Sequence, residues 1–401
     1  MIVFNKSLLK NTFLVDEALS LKDSGFLSND DFNQIKKASP ILKSNKNVLL
    51  RIGFFLLGSF LFASVMGLLA WFVFGSGNNS NISIVILFGL YSIIGIFACE
   101  FISKEQYRYG IDDAFIIGTI GSIYGFVFNI INSIQQDNEN YYSRLDNFEI
   151  YFCITIAIVG LIACLRYCHW ISALISLVGA TGTFYYLISH FSFGLKLMPF
   201  LMMIFAVGLY FLYAKLLDRN RIYYYTNSLV VLKVFSLALF YLSGNYLVVR
   251  SLSENLMGNL LQDGQDIPFA MFFWVVTFAV PVFYLFWSIL KKDKVFLNIG
   301  FITFCFSIFT FRTFYSVLPS EIALTLAGIV VFVFSYFTIK KIKNNESGVT
   351  FKPDRNKNTT NLVNLEAVII NSQVNMSQNV NDSPMEFGGG GFSGGGAGDS
   401  F

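Results

Sequence analysis

Ten apolar stretches, each about as long as a helix must be to cross a bilayer, follow one another between residues 48 and 340 and leave such a chain few folds. They cover roughly residues 48–74, 82–103, 111–133, 149–168, 170–190, 197–215, 227–249, 268–290, 295–317 and 321–340. A hydrocarbon core about 30 Å thick takes about 20 helical residues to cross. With no water at that depth the backbone must pair with itself, which makes these segments helices. Composition agrees, because 55% of the 401 residues are apolar and 13% charged, against about 45–50% and 25% in soluble domains. The expected fold is therefore all-α: a polytopic transmembrane bundle of about ten spans over residues 48–343. A short amphipathic helical element (1–47) precedes it, and a disordered tail (344–401) follows.

Basic residues alternate between the connections and orient the spans. Lys36, Lys37, Lys43, Lys46 and Arg51 lead; Lys104 and Arg108, Arg166, the group Lys215, Arg219 and Arg221, and the group Lys291, Lys292 and Lys294 follow in the even connections; Lys340, Lys341 and Lys343 close the set. The opposite side carries Arg144, Lys196, Arg250 and Arg312. Seventeen against four places both termini in the cytoplasm, because Lys and Arg are retained there. The narrowest break between spans is at Arg166, Cys168, His169 and Trp170. If it failed the count would be nine, but an odd count would put the C-terminal lysines outside.

Ahead of the spans, Leu8, Leu9, Phe13, Leu14, Ala18 and Leu21 recur at helical spacing. A turn at Asp23, Ser24 and Gly25 follows, and Ser28 with Asp31 has the form of a capping box opening a second helix through Phe32 and Ile35. The acidic pair Asp30 and Asp31 would repel phosphate, so nucleic acid is not an expected partner. No signal-peptide pattern occurs in this stretch. Beyond Lys343 the chain turns polar and then Gly-rich, with Pro353 and Pro384 interrupting regular structure; Leu362 to Val374 is apolar enough to dock on a partner.

An ionisable residue within a span is a functional candidate by default. Glu100, Asp112, Asp113 and Lys233 share the inner leaflet and form a candidate polar vestibule open to the cytoplasm. The structural alternative has Asp112 and Asp113 capping a helix and Lys233 snorkelling to the headgroups. On the outer side His190, Arg312 and Glu321 lie near span ends, with Arg312 and Glu321 placed to pair. Gly121 and Gly125, with Gly118, form a small-residue packing face on the third span. Pro281 should kink the eighth, while Gly244 with Asn245 and Asn298 with Gly300 should weaken the seventh and ninth. The five cysteines lie in apolar segments and read as free thiols. Cys164, Cys168 and His169 supply three soft ligands without a fourth, so no metal site is expected.

No HExxH, GxSxG or Walker-type loop is present, so neither enzymatic activity nor a cofactor is expected. The opening Gly25-Phe26-Leu27-Ser28-Asn29-Asp30-Asp31-Phe32, closing a helical hairpin ahead of many spans, resembles predicted bacterial membrane proteins of domain-of-unknown-function families. That resemblance covers about 70 residues. It implies a multi-pass protein of the bacterial inner membrane and assigns no activity; the long outer loops and Gly-rich end depart from the pattern. The final 15 residues, Phe387 to Phe401, are similar to the glycine-rich tails of TPM-domain membrane proteins, although no TPM domain is present. Two functions follow as expectations. One is a membrane scaffold or regulator that meets the lipid bilayer and, through its N-terminal helices or tail, a cytoplasmic protein. The other is a secondary transporter for a small solute, with Glu100 and Lys233 on its path. Few polar residues stand at mid-membrane depth, which ranks the scaffold first.

Overall fold

The computed structural model describes residues 2–23, 26–45, 47–75, 81–136, 148–191, 194–217, 223–257, 266–291 and 293–315, with scattered positions from 325 to 340. Two short helices, α1 (Lys6–Asp23) and α2 (Asn29–Ala38), form the N-terminal hairpin. The long helices follow: α3 (Val48–Phe74), α4 (Asn81–Ser103), α5 (Ile111–Gln136), α6 (Phe148–Tyr167), α7 (Trp170–Ser189), α8 (Gly194–Leu217) and α9 (Thr226–Gly244). The short α10 (Tyr246–Met257) then precedes α11 (Ala270–Lys291) and α12 (Lys294–Phe314). Nine of these described helices, all but α1, α2 and α10, are long and apolar enough to cross a membrane. The chain is all-α among the described residues and fits a multi-pass membrane protein. The tenth expected span falls mostly outside them, although its described positions are helical, and the tail lies wholly outside.

Helix starts follow local chemistry. The Ser28 hydroxyl accepts the Asp31 N–H at 3.1 Å, as the capping-box pattern predicts. Asn47 accepts the N–H groups of Leu49 and Leu50 to open α3, and Asp293 those of Val295 and Phe296 to open α12. The narrow break between α6 and α7 is real. Cys168 adopts a left-handed conformation (φ 50°), and His169 caps α7 by accepting the Ser172 N–H.

Burial is uneven. Half of the α9 window lies inside, against about a tenth for α3, so α9 is central and α3 lies at the rim. The tightest approach joins α6 and α7, where a Cβ on Gly179 would stand 2.5 Å from the Ala157 backbone nitrogen and one on Gly160 2.8 Å from that of Ser176. The Ser176 hydroxyl also bonds the Ala157 carbonyl there at 2.8 Å. On α5 the expected packing face is corrected. Gly118 meets Phe62 and Gly125 meets Phe88, but a Cβ on Gly121 would meet nothing within 4 Å. Residues seven apart share a face more closely than residues four apart, which is why Gly118 and Gly125 make contact together and Gly121 turns away.

Of the weak points expected in the seventh and ninth spans, one falls at a helix end and the other does not interrupt its helix. From Thr226 to Asn245 a helix rises about 28 Å, so the break that ends α9 at Asn245 stands near the end of the span opposite the hairpin. α12 runs unbroken through Asn298 and Gly300, and Asn298 is exposed one turn from its start. α11 continues through Pro281, which is fully buried. Proline has no N–H and therefore frees the carbonyl four residues earlier, that of Thr277. The Ser307 hydroxyl of α12 donates to this carbonyl at 2.6 Å.

A directed chain of bonds feeds that contact. Asn245 Nδ2 donates to the Tyr241 hydroxyl at 3.0 Å, and Tyr241 lies 2.8 Å from Ser307 Oγ. Since Ser307 spends its proton on Thr277, the Tyr241 proton goes to Ser307. Asn245 Nδ2 also donates to Thr310 Oγ1 at 3.1 Å, and the Tyr246 N–H, exposed by the helix break, donates to Thr277 Oγ1 at 3.0 Å. Tyr241, Asn245, Thr277, Ser307 and Thr310 are each at most 1% exposed.

Melting temperatures of four variants test this packing. Gly179→Ala should lower the melting temperature of the detergent-solubilised protein by an amount equivalent to about 1–3 kcal/mol. Gly121→Ala should be neutral or stabilising by up to about 1 kcal/mol, since Ala is the better helix former. Ser307→Ala should cost about 1–3 kcal/mol by orphaning the Thr277 carbonyl. Adding Pro281→Ala, which restores a backbone donor, should recover part of that loss; strict additivity of the two changes would refute the pairing.

Candidate functional site

The densest group of polar side chains lies where the N-terminal hairpin meets the connections α4–α5 and α6–α7. The α4–α5 connection is stitched to the segment after α2 by backbone bonds: Lys43 N–H to the Glu105 carbonyl (3.2 Å), Tyr107 N–H to the Lys43 carbonyl (3.0 Å) and Asn45 N–H to the Arg108 carbonyl (3.4 Å). At the other end of the hairpin, the Val3 N–H donates to the Arg166 carbonyl at 3.1 Å. Between these ties Phe4, Leu9, Leu42, Tyr107 and Cys168 form one buried cluster, flanked by Phe13, Tyr224 and Tyr225. Phe4 meets the Tyr107 ring edge-on at 5.2 Å. α1 thus buries Leu9 against these loops, while Val15 and Ala18 pack against Phe32 of α2.

Three of the four candidate ionisable residues stand at this junction. Asp112 accepts backbone N–H groups from Arg108 (2.7 Å), Tyr109 (3.0 Å) and Gly110 (2.8 Å). That nest needs positive φ at Arg108 (57°) and Gly110 (114°), and a Cβ at Gly110 would run into the Arg51 carbonyl at 2.3 Å. Asp113, next along α5, accepts Arg51 through Nε (2.9 Å) and Nη2 (2.5 Å), so α3 is tied to α5. His169 Nε2 lies 3.1 Å from the other Asp113 oxygen. His169 Nδ1 accepts the Ser172 N–H at 3.3 Å, which leaves Nε2 as the ring nitrogen that faces Asp113. Glu100 pairs with Arg166 of α6 in a two-pronged contact, Nη2 to Oε2 at 2.7 Å and Nε to Oε1, and it also accepts the Tyr167 hydroxyl at 3.1 Å.

Lys233 does not join this group. It is 6% exposed on α9 and pairs with Asp293, the cap of α12, while the rings of Tyr213 and Phe296 lie 5.4 Å and 5.0 Å from its nitrogen. The expected shared vestibule is thus two separate sets of ion pairs, each holding helices together. Opposite charge, hydrogen bonds and aromatic faces offset the cost of taking these groups out of water.

Sequence reasoning missed the partners Arg51, Arg166, His169 and Asp293. Arg51 and Arg166 were read only as topology markers, yet each stands within a turn of a span end, as the carboxylates do. Gly110, two residues before Asp112, was the available signal for the nest. The predicted pairing of Arg312 with Glu321 falls outside the described residues, as Glu321 does.

Unpaired polar atoms also gather here. Ser103 Oγ, Gln106 Oε1, Tyr107 OH and Arg108 Nη2 are buried without a hydrogen-bond partner among the described residues, though Arg108 stacks on the Tyr107 ring at 5.0 Å. Burial holds the Tyr107 hydroxyl above its ordinary range, and burial followed by the nearby Cys164 pushes the Cys168 thiol up to about 12. Cys164 lies 3.5 Å from Ser228 Oγ, and no set of three metal-ligating side chains assembles among the described residues.

Comparison of the chain with protein-family models, curated proteins and solved structures finds no match.

The raised thiol gives a test of hairpin docking. A thiol with a pKa near 12 is about one part in ten thousand thiolate at pH 8, and the thiolate is the reactive form. Cys168 should therefore resist maleimide in the folded protein. Leu9→Asp, which charges a fully buried contact, should expose it to rapid modification, read by peptide mass spectrometry. Equal labelling of both proteins would count against the docked hairpin.

Proposed function

We propose that this protein is a membrane scaffold or regulator whose spans hold a cytoplasmic hairpin in a fixed pose for a protein partner. The observation that carries this reading is the stitching of the hairpin at both ends, by Val3 to Arg166 and by Lys43 and Asn45 to residues 105–108. A loosely tethered element would not need backbone bonds to two different connections. The docked hairpin leaves α2 outward, with Asp30, Asn33, Gln34, Lys36 and Lys37 exposed and Phe26 half-exposed at the turn before it. Such a mixed polar surface around an aromatic residue suits recognition of another protein. The seventeen-to-four bias of basic residues supports placing this face in the cytoplasm, and the short resemblance at Gly25 to Phe32 supports a bacterial inner membrane.

A secondary transporter is the second reading, favoured by the helix break at Asn245 with its buried hydroxyls. Against it, Glu100, Asp113 and Lys233 are each engaged by a side chain of opposite charge, and Asp112 by backbone donors. Groups so engaged stabilise helix packing rather than exchange a solute.

The double variant Glu100→Gln, Lys233→Met separates the two. The scaffold reading expects a lower melting temperature, with solute flux in reconstituted vesicles unchanged across a panel of small solutes. A flux present in the parent and abolished in the variant would establish transport instead. In parallel, Lys36→Glu with Lys37→Glu should remove co-purifying partners at unchanged melting temperature; partners retained in full would withdraw the hairpin from the reading.

A further inference from the structure

The outward face of α2 is complementary to itself. Its inward residues, Phe32 and Ile35, pack against Val15 and Ala18 of α1. At about 3.6 residues per turn, the direction opposite them is occupied by Asp30, Asn33, Gln34 and Lys37, all exposed. The other exposed residues, Asn29, Asp31, Lys36 and Ala38, fall on the flanks. Asp31 is taken up by Ser28, whose hydroxyl donates to it at 2.6 Å. Asp30 and Lys37 have no charged neighbour of opposite sign along their own face. The helical positions three and four residues from each are Asn33 and Gln34, which carry no charge, and about 10 Å of rise separates the two.

A helix with an acidic end and a basic end on one face cannot neutralise them by itself, but two such helices laid antiparallel neutralise both. A two-fold axis between Asn33 and Gln34 sets Asp30 opposite Lys37 of a second copy, and Asn33 opposite Gln34. Every contact is then made twice, as an isologous interface requires. The amides of Asn33 and Gln34 both donate and accept, so they pair in either sense. Phe26, half-exposed before the acidic end, comes toward the exposed Pro40 beyond the other copy's basic end and adds apolar contact. The hairpin is fixed to its own bundle by backbone bonds, so two copies in one membrane present this face at the same height. Two helices of 10 residues bury less than the roughly 1,000 Å² of a stable soluble dimer, and the contact therefore depends on that shared membrane.

We infer that α2 is a self-association surface, which pairs antiparallel with α2 of a second copy through Asp30 to Lys37 and Asn33 to Gln34 contacts. This names the protein partner of the hairpin face and so rests on the scaffold reading.

Oxidation with copper phenanthroline in native membranes tests it. The background is Cys153→Ser with Cys305→Ser, which removes the two thiols that are not buried. Gln34→Cys lies within about 2 Å of axial register with its own copy and should give a disulfide-linked dimer. Ala38→Cys, exposed on the same helix but about 14 Å out of register, should stay monomeric. Asp30→Lys and Lys37→Glu each set like charges opposite one another and should cut the Gln34→Cys dimer at least about fivefold. Co-expressed under different tags, these two variants complement each other but not themselves, and should form linked dimers carrying both tags. Such recovery also shows that neither substitution has unfolded α2. Gln34→Cys that stays monomeric while reacting with maleimide would overturn the inference, as would linked dimers indifferent to the charge changes. If Lys36→Glu with Lys37→Glu then still strips co-purifying proteins, the scaffold reading stands with a different protein as partner; if those proteins are retained, both fall.

Discussion

Inside a bilayer a freed carbonyl has no water to turn to, and the fold around α11 is arranged to meet that demand. Pro281 releases the Thr277 carbonyl and Ser307 supplies the missing donor. Ser307 is then open to accept from Tyr241, and Tyr241 from Asn245. The same Asn245 ends α9, and the backbone N–H that its break exposes on Tyr246 goes to the Thr277 hydroxyl. A proline in one helix and a break in another are therefore answered by a single network. It fixes how α9, α11 and α12 are rotated against one another, because no other rotation presents these hydroxyls to each other.

At the opposite end of the bundle the organising interactions are charged. Asp113 joins α3 to α5 through Arg51, Glu100 joins α4 to α6 through Arg166, and Lys233 joins α9 to α12 through Asp293. Each pair sits within a turn or two of a helix end, where the surroundings are less hostile to charge than the bilayer centre. On this framework the loops α4–α5 and α6–α7 become rigid enough to receive the hairpin. Their positive-φ positions, Arg108, Gly110 and Cys168, then act as corners of a docking surface rather than as slack connections.

Much of this was legible in advance. Apolar length alone located the nine described membrane helices to within a few residues, since the bilayer sets helix length and tolerates little variation. The capping box at Ser28 and the break before Trp170 were also readable, because caps and breaks are local. Depth was harder to read. The Asn245 interruption falls inside an apolar stretch that reads as one span, 227–249, yet α9 has already risen about 28 Å, nearly the full thickness, before reaching it. The Gly121 and Gly125 spacing suggested a contact, but which face of α5 meets a neighbour depends on Phe62 and Phe88, from two other helices.

By itself, then, the sequence determined that the chain is a bundle of membrane-length helices with a capped hairpin ahead of it, and which residues are too costly to leave unpaired in lipid. Only the tertiary structure decided the partners. Glu100, Asp112, Asp113 and Lys233 looked like one vestibule because all four lie near the same ends of their spans. The folded chain gives three of them side-chain partners from helices distant in sequence, and Asp112 a nest of its own backbone. The physical reason is that desolvation cost is a property of one residue and its depth, and so can be read along the chain. The interaction that offsets it depends on which helices lie side by side, and helical periodicity alone does not specify that.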